Sequence, residues 1–174
     1  MDIRKGGPGD VAAVLRMFDS AIEWLVAQGR TGQWGSEPFS ADPKRVGQVT
    51  TWAEGEGMRI AMLDGEAAGC MTVGGPLPYV TPAEEPELYV QGLVIDQRFH
   101  GRGVGRALLD RAVSEAEDRG VDLVRVDCYA GDDGQLVRYY ESCGFRRAET
   151  FTVGQWPGQV LERRVSERVS GAAR

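Results

Sequence analysis

Histidine, cysteine and lysine are scarce in this chain of 174 residues, and each shortage excludes a class of chemistry. The single histidine, His100, cannot supply a multi-histidine metal site, and any Ser-His-Asp or Cys-His mechanism would have to use it as the base. The cysteines Cys70, Cys128 and Cys143 are odd in number and form no C-x-x-C pair. We therefore expect no metal site and no disulfide framework, and we interpret the cysteines as small buried side chains.

Long apolar runs and an excess of positive charge are also missing. No apolar run approaches the length of a membrane span, and the N-terminal segment lacks the apolar stretch of a signal peptide. The formal net charge is −6, which argues against nucleic-acid binding because that needs a basic surface. These absences predict a cytoplasmic protein with neither a membrane nor a nucleic acid as partner.

Hydrophobic periodicity predicts strands and helices in alternation along most of the chain. The predicted strands cover 2–6, 59–63, 67–75, 88–96, 121–129, 146–154 and 159–165. The predicted helices cover 9–29, 43–57, 104–119 and 134–144. We expect one α/β domain over 1–167, with a mixed, mostly antiparallel central sheet flanked by helices, followed by a frayed tail at 168–174.

The stretch "RFHGRGVG", residues 98–105, brings three glycines to the start of a predicted helix. Glycine costs about 0.5–1 kcal/mol relative to alanine inside a helix, so its use here needs a reason. Glycines expose backbone N–H groups at a helix N-terminus, where the helix dipole favours an anion such as phosphate. The stretch matches neither a P-loop nor G-x-G-x-x-G, which argues against a nucleoside triphosphate or a dinucleotide. A flexible turn without a ligand is the alternative.

Two motifs resemble those of the GCN5-related N-acetyltransferase (GNAT) family. "HGRGVG" resembles its acyl-CoA pyrophosphate loop, [QR]-x-x-G-x-[GA], although His100 takes the place of Gln or Arg. "DDGQLVRYYESCGF" resembles the family segment N-x-x-A-x-x-x-Y-x-x-x-GF. The corresponding residues there are Asp133, Leu136, Tyr140, Gly144 and Phe145. Asp133 and Leu136 depart from the family pattern, but the order of elements matches over residues 2–165.

The resemblance implies the single-domain acyl-CoA N-acyltransferase fold, with acetyl-CoA as co-substrate. The strand before the loop would pair with the pantetheine arm and polarise the thioester carbonyl. The residues thereby assigned to acetyl-CoA are Leu93, Val94, Ile95, His100, Gly101, Arg102, Gly103, Val104, Gly105, Arg106, Asp133 and Tyr140.

Tyr140 corresponds to the general acid of the family. A phenol beside the departing CoA thiolate can protonate it or donate a hydrogen bond to it. The structural alternative is a core aromatic residue with a polar tip.

The general base is less well defined. Many family members carry a Glu on the strand before the loop, where this chain has Gln91, which cannot act as a base. The candidates that remain are Asp127, Glu23 and Glu87. Asp127 shares a strand face with Arg125, so a simple ion pair between them is the structural alternative.

The acceptor site is predicted from residues outside the two motifs. Its candidates are Trp24, Trp34 and Tyr79 as an aromatic wall, and Gln91. We expect an N-acetyltransferase that acts on a primary amine of a small molecule by direct attack in a ternary complex, because no cysteine has a histidine partner. Acetylation of a protein N-terminus or lysine, and a non-catalytic acyl-CoA-binding sensor, are the alternatives. The last predicted hairpin can supply a homodimer contact.

Overall fold

The computed structural model describes residues 1–167, and it places a strand or helix at each predicted position. The strands are β1 Asp2–Lys5, β2 Met58–Leu63, β3 Glu66–Gly74, β4 Glu87–Ile95, β5 Leu123–Tyr129, β6 Arg146–Val153 and β7 Trp156–Arg164. The helices are α1 Val11–Ala27, α2 Pro43–Glu54, α3 Val104–Asp118 and α4 Gln135–Ser142. The tail predicted at 168–174 lies outside the described residues.

The strands form one mixed sheet in the order β1-β2-β3-β4-β5-β7-β6. The β1/β2, β2/β3, β5/β7 and β6/β7 pairs are antiparallel, whereas β4 and β5 are parallel. This arrangement confirms the predicted fold class. The parallel register joins Glu87–Val90 to Leu123–Val126, so the paired stretch ends before Leu93.

The chain divides into two compact units, which we describe separately. Unit 1 contains residues 1–72 and 92–108, and unit 2 contains residues 73–91 and the described residues from 109 onward. The boundary between the two units falls within β4: Gln91 belongs to unit 2 and Gly92 to unit 1. The single domain expected over 1–167 stays a prediction.

The core of unit 1 forms around the apolar side of α1. Helical spacing brings Val14, Phe18 and Ile22 to one side of the helix, and all three are buried. The Phe18 ring stacks on Phe39 with 4.0 Å between ring centroids, and Trp34 meets Phe18 edge-on at 5.4 Å. Helix α1 is therefore anchored by aromatic packing as well as by its aliphatic side chains.

Gly69 of β3 determines how closely the start of α3 can approach the sheet within unit 1. A Cβ atom at this position would lie 2.7 Å from Cγ1 of Val104 and 3.1 Å from Cδ1 of Ile95. The missing side chain lets the first turn of α3 pack directly on β3. This contact fixes the place where the glycine stretch ends.

The core of unit 2 includes Tyr89 of β4, which is completely buried and packs with Val80 and Val160. Helix α4 contacts β5 and β6 and buries Val137 and Tyr140. Both predicted active-site groups of this unit, Tyr140 and Asp127, are thus carried by elements that its core holds in place.

Gly92 provides a test of the packing in unit 1. A Cβ atom there would lie 2.5 Å from Cη2 of Trp52, so Gly92→Ala must displace the indole ring. We expect this variant to lose about 1–3 kcal/mol in the free energy of unfolding, measured by urea denaturation. Gly47→Ala in α2 is the matched control, because its Cβ atom meets nothing within 4 Å. This control should gain about 0.5–1 kcal/mol, and a Gly92→Ala protein as stable as the native one would contradict the packing described.

Candidate active site

The glycine stretch forms an exposed loop at the start of α3. Gly101 and Gly103 are exposed and have φ angles of +75° and +78°, a conformation that side chains with a Cβ atom rarely adopt. Val104 and Gly105, which follow, are buried, whereas Arg106 is exposed. The loop therefore presents bare backbone to solvent immediately before a helix, as the phosphate-binding prediction requires.

Carboxylates hold two arginines of the loop. Arg102 Nη1 lies 3.0 Å from Oδ2 of Asp64 in the β2–β3 turn. Arg98 pairs with Asp96 at 3.1 Å and with Glu66 at 3.3 Å. The positive charges of Arg98 and Arg102 are thus partly compensated by acidic neighbours.

Two tryptophans predicted for the acceptor site occupy different surroundings in unit 1. Trp24 is 37% exposed, and its ring centroid lies 5.6 Å from that of His100, which links α1 to the glycine loop. Trp34 instead packs on the core through Phe18, and its carbonyl oxygen accepts a hydrogen bond from Arg45. Trp24 is thus the more accessible of the two side chains.

The last residues of β4 lie in unit 1. Val94 is buried in its core, Ile95 approaches Gly69, and Leu93 is half-buried. Since the pairing of β4 with β5 ends at Val90, these three residues follow the paired part of the strand.

Asp127 on β5 is bound by two tyrosine hydroxyls in unit 2. Tyr89 Oη donates to Oδ2 of Asp127 at 2.5 Å, and Tyr79 Oη lies 3.3 Å from Oδ1 and 3.4 Å from Oδ2. Tyr89 is completely buried and Tyr79 is 45% exposed. One side of the carboxylate is therefore anchored in the core, and the other is next to a solvent-accessible phenol.

Arg125 does not form the ion pair with Asp127 that the structural alternative predicts. Its guanidinium contacts Glu87 at 3.0 Å and Glu149 at 2.8 Å, and it also donates to the Thr81 carbonyl. The pairing of Arg125 with Glu87 is buried, with 5% and 6% of the side chains exposed. Glu87 is thereby engaged in an ion pair, which makes it a poorer candidate for the base than Asp127.

The surroundings of Asp127 raise the pKa of its carboxyl group above the ordinary value. Burial is the largest cause, since it penalises the charged form. The hydrogen bonds from Tyr89 and Tyr79 and the charge of Arg125 act in the opposite direction and offset only part of the shift. Asp127 is therefore a stronger base than an exposed aspartate.

Tyr140 on α4 is buried, and its ring meets Phe145 edge-on at 6.1 Å. Burial raises the pKa of Tyr140 well above its ordinary value, with smaller contributions from Cys128, Tyr139 and Asp127. The phenol therefore stays protonated at neutral pH. Burial also raises the pKa of Cys128 to about 12, so this thiol is not a ready nucleophile.

The segment before α4 follows a left-handed path. Asp132, Asp133 and Gly134 have φ angles of +54°, +60° and +73°, and the Asp133 carbonyl oxygen accepts a hydrogen bond from Arg138. Asparagine and aspartate tolerate this conformation better than other residues with a side chain. This preference explains how aspartate can stand at a position where the family commonly has asparagine.

The other two predicted residues have the following contacts. Gln91 donates from Nε2 to the Gly75 carbonyl oxygen at 2.9 Å, so its side chain fixes the backbone after β3. Glu23 is exposed and lines a cleft of about 550 Å³ in unit 1. The other lining residues are Asp19, Ile22, Val26, Ala27, Ser36, Pro38 and Ser40.

Sequence reasoning missed Tyr89 and Glu149 as residues of the site. It also missed that Arg125 pairs with Glu87 and Glu149. The signal that could have indicated Tyr89 is alternation: Tyr89 stands opposite Arg125 in the parallel register, and Asp127 lies two residues further along β5.

Within residues 1–167 there is no group of three or more His, Cys, Asp or Glu side chains arranged to hold a metal ion. Within the same range, every helix is too short or too polar to span a bilayer.

Comparison with known proteins gives consistent matches. The acetyltransferase (GNAT) family model matches residues 18–145. Aminoglycoside N(6')-acetyltransferase type 1 from Stenotrophomonas maltophilia is 30% identical over 157 residues, which cover 89% of this chain and 92% of that protein. Mycothiol acetyltransferase from Beutenbergia cavernae is 32% identical over 127 residues, 70% of this chain, but the chain spans only 40% of that protein's length.

The fold agrees with these matches. The crystal structure of a GNAT-family acetyltransferase from Listeria monocytogenes superimposes with a TM-score of 0.72 at 19% identity, covering 94% of each chain. The family model spans both motifs described above, the glycine loop and the segment that contains Tyr140. The chain therefore belongs to the GNAT family of acetyltransferases, enzymes that use acetyl-CoA as co-substrate.

Proposed function

We propose that this enzyme transfers the acetyl group of acetyl-CoA to a primary amine of a small molecule, by direct attack in a ternary complex. The observation that carries the proposal is Asp127, a carboxylate with a raised pKa whose direct partners are two phenols rather than Arg125. An amine acceptor must lose a proton before or during attack, and this carboxylate can accept it. The names of the two curated relatives, which refer to an aminoglycoside and to mycothiol, support a small-molecule acceptor.

Acetyl-CoA is assigned to the residues of the two motifs. The exposed backbone of Gly101 and Gly103 would hold the pyrophosphate, with Arg102 and Arg106 near the phosphates. The backbone of Leu93–Ile95 would pair with the pantetheine arm, and a backbone N–H there would stabilise the oxyanion of the tetrahedral intermediate.

The chemical steps are those of acyl transfer to nitrogen. The neutral amine attacks the thioester carbonyl carbon, a C–N bond forms, and Asp127 takes the proton that the nitrogen loses. The C–S bond then breaks, and Tyr140 protonates the departing CoA thiolate or donates a hydrogen bond to it. Because Cys128 stays a buried thiol, direct attack is favoured over an acetyl-cysteine intermediate.

The loop assignment is tested with Gly103→Val and a matched variant, Gly120→Val. Both glycines have a left-handed backbone, with φ angles of +78° and +69°, and a Cβ atom added at either position would meet nothing within 4 Å. The two substitutions should therefore cost similar stability, about 1–2 kcal/mol. Only Gly103→Val places a side chain in the proposed pyrophosphate site, so only it should weaken acetyl-CoA binding by tenfold or more in calorimetric titration. Equal affinities of the two variants for acetyl-CoA would show that the pyrophosphate does not bind at this loop.

Tyr140→Phe tests the general acid. Loss of the hydroxyl should lower kcat by roughly 100-fold, with the dissociation constant of acetyl-CoA close to the native value. Tyr139→Phe is the control, since it removes the hydroxyl of the exposed neighbour on the same helix. If Tyr140→Phe turns over at the native rate, Tyr140 has no part in the chemistry.

Asp127→Asn tests the general base through both activity and stability. We expect kcat to fall by about 100-fold, because the amide cannot accept the proton. The fold favours the protonated form of Asp127, so the native protein loses stability as pH rises through the raised pKa of this group, whereas the variant does not.

Denaturation as a function of pH measures this difference. The stability advantage of Asp127→Asn should be absent at low pH and should grow as pH rises through the raised pKa of Asp127. Glu87→Gln is the contrasting variant, because it removes a buried partner of Arg125 and should cost about 3 kcal/mol. A variant Asp127→Asn that is less stable than the native protein at neutral pH would show that burial does not dominate the environment of Asp127.

A further inference from the structure

A row of aromatic side chains lies next to Asp127 in unit 2, and the chemistry proposed above does not use their rings. Tyr129 follows Asp127 by two residues on β5, so both side chains point to the same face of the sheet. Tyr129 stands opposite Gly158 of β7, and Gly158 stands opposite Phe151 of β6. Directly opposed residues share a face, so Phe151 also lies on the face that carries Asp127.

The rings are in contact from one end of the row to the other. Tyr79, whose hydroxyl lies beside Asp127, is 5.2 Å from Phe151 between ring centroids. Phe151 is 6.2 Å from Trp156, and Trp156 is 5.4 Å from Tyr129. We call these four residues the aromatic row. Tyr79 is 45% exposed and the other three are half-buried, so ring surface is open to solvent next to the carboxylate.

Gly158 allows the row to be continuous. A Cβ atom at this position would overlap the Phe151 ring, so the ring lies directly over the backbone of β7. A larger residue at 158 would push Phe151 away from the sheet. The row is thus a consequence of how the two strands pack.

The charged side chains that surround Arg125 carry more negative than positive charge. Arg125 is the guanidinium next to Asp127, and Glu87 and Glu149 already contact it at 3.0 and 2.8 Å. Three carboxylates therefore face one positive charge when Asp127 is counted with the two glutamates. Glu149 is 46% exposed at its side chain, so part of the excess negative charge reaches the surface.

We infer that the aromatic row binds the non-reacting part of the acceptor, and that this acceptor is a dicationic amine. One amino group would lie at Asp127, and the second, as an ammonium, would lie over the faces of Phe151 and Trp156. Ring faces attract cations within about 6 Å, and the excess negative charge attracts a second positive group. This inference rests on the proposed acetyl transfer, because it assigns the acceptor of that same reaction.

Binding of two simple amines to the protein saturated with CoA tests the inference without requiring turnover. Hexane-1,6-diamine and hexan-1-amine have the same carbon chain and differ only in the second amino group. We expect calorimetry to show that the diamine binds at least about tenfold more tightly. Equal affinities for the two amines would overturn the inference.

Substitutions on β6 test whether the Phe151 ring itself contributes to binding of the diamine. Phe151→Leu keeps an apolar side chain but removes the ring, and should weaken binding of the diamine about tenfold, with little effect on the monoamine. Phe151→Tyr keeps the ring and should restore binding. Thr152→Leu is the matched control, because neighbouring residues of a strand point to opposite faces. Unchanged diamine binding in Phe151→Leu would also overturn the inference.

The two proposals can fail independently. Preferential diamine binding that is lost in Phe151→Leu, combined with no transfer of acetyl from acetyl-CoA to the diamine or to any other small amine, would support the aromatic row as an amine-binding surface and contradict the proposed function. Acetyl transfer that proceeds equally well to both amines would support the proposed function and overturn the role of the aromatic row.

Discussion

The buried guanidinium of Arg125 is the constraint on which the site in unit 2 depends. Its contacts with Glu87 and Glu149 connect β4, β5 and β6, and they engage two carboxylates that would otherwise compete as bases. Asp127, two residues further along β5, is left with tyrosine hydroxyls as its direct partners. Breaking a buried ion pair is strongly destabilising, so this allocation of charges is not easily rearranged.

The environment of Asp127 shows a conflict between stability and function. Burial disfavours the charged carboxylate and raises its pKa, while two phenols and a nearby arginine restore part of the lost stabilisation. A carboxylate held in this way is costly for the fold, yet its higher basicity suits proton abstraction from an amine. Tyr140 is suited to act as the general acid for a similar reason, because burial keeps its phenol protonated until the departing CoA thiolate takes the proton.

Most of the fold could be predicted from the sequence, because it depends on local signals. The apolar spacing of α1 acts over a few residues, and the structure confirms the helix that it predicts. The glycine loop was likewise visible as a motif. Its backbone angles at Gly101 and Gly103 give the physical reason for the motif.

The site in unit 2 could not be derived in the same way, because it depends on strand register. Tyr89 reaches Asp127 because it stands opposite Arg125 in the parallel register. A slip of the register by one residue would turn the Tyr89 side chain to the other face of the sheet. The sequence therefore offered Asp127 as the ion-pair partner of Arg125, whereas the structure shows Glu87 and Glu149 in that role. The sequence does not separate Trp34 from Trp24, because a loop residue such as Trp34 has no periodicity that distinguishes core from surface.

The most direct test of the central claim is whether acetyl groups reach an amine. Acetyl-CoA and a panel of small primary amines, with an aminoglycoside included, are incubated with the protein, and mass spectrometry follows the acetylated amine while a thiol assay follows released CoA. We predict equal amounts of N-acetylated product and free CoA, both dependent on the amine and on the protein. Saturable binding of acetyl-CoA without transfer to any amine, peptide N-terminus or lysine would contradict this and indicate a non-catalytic acyl-CoA-binding protein.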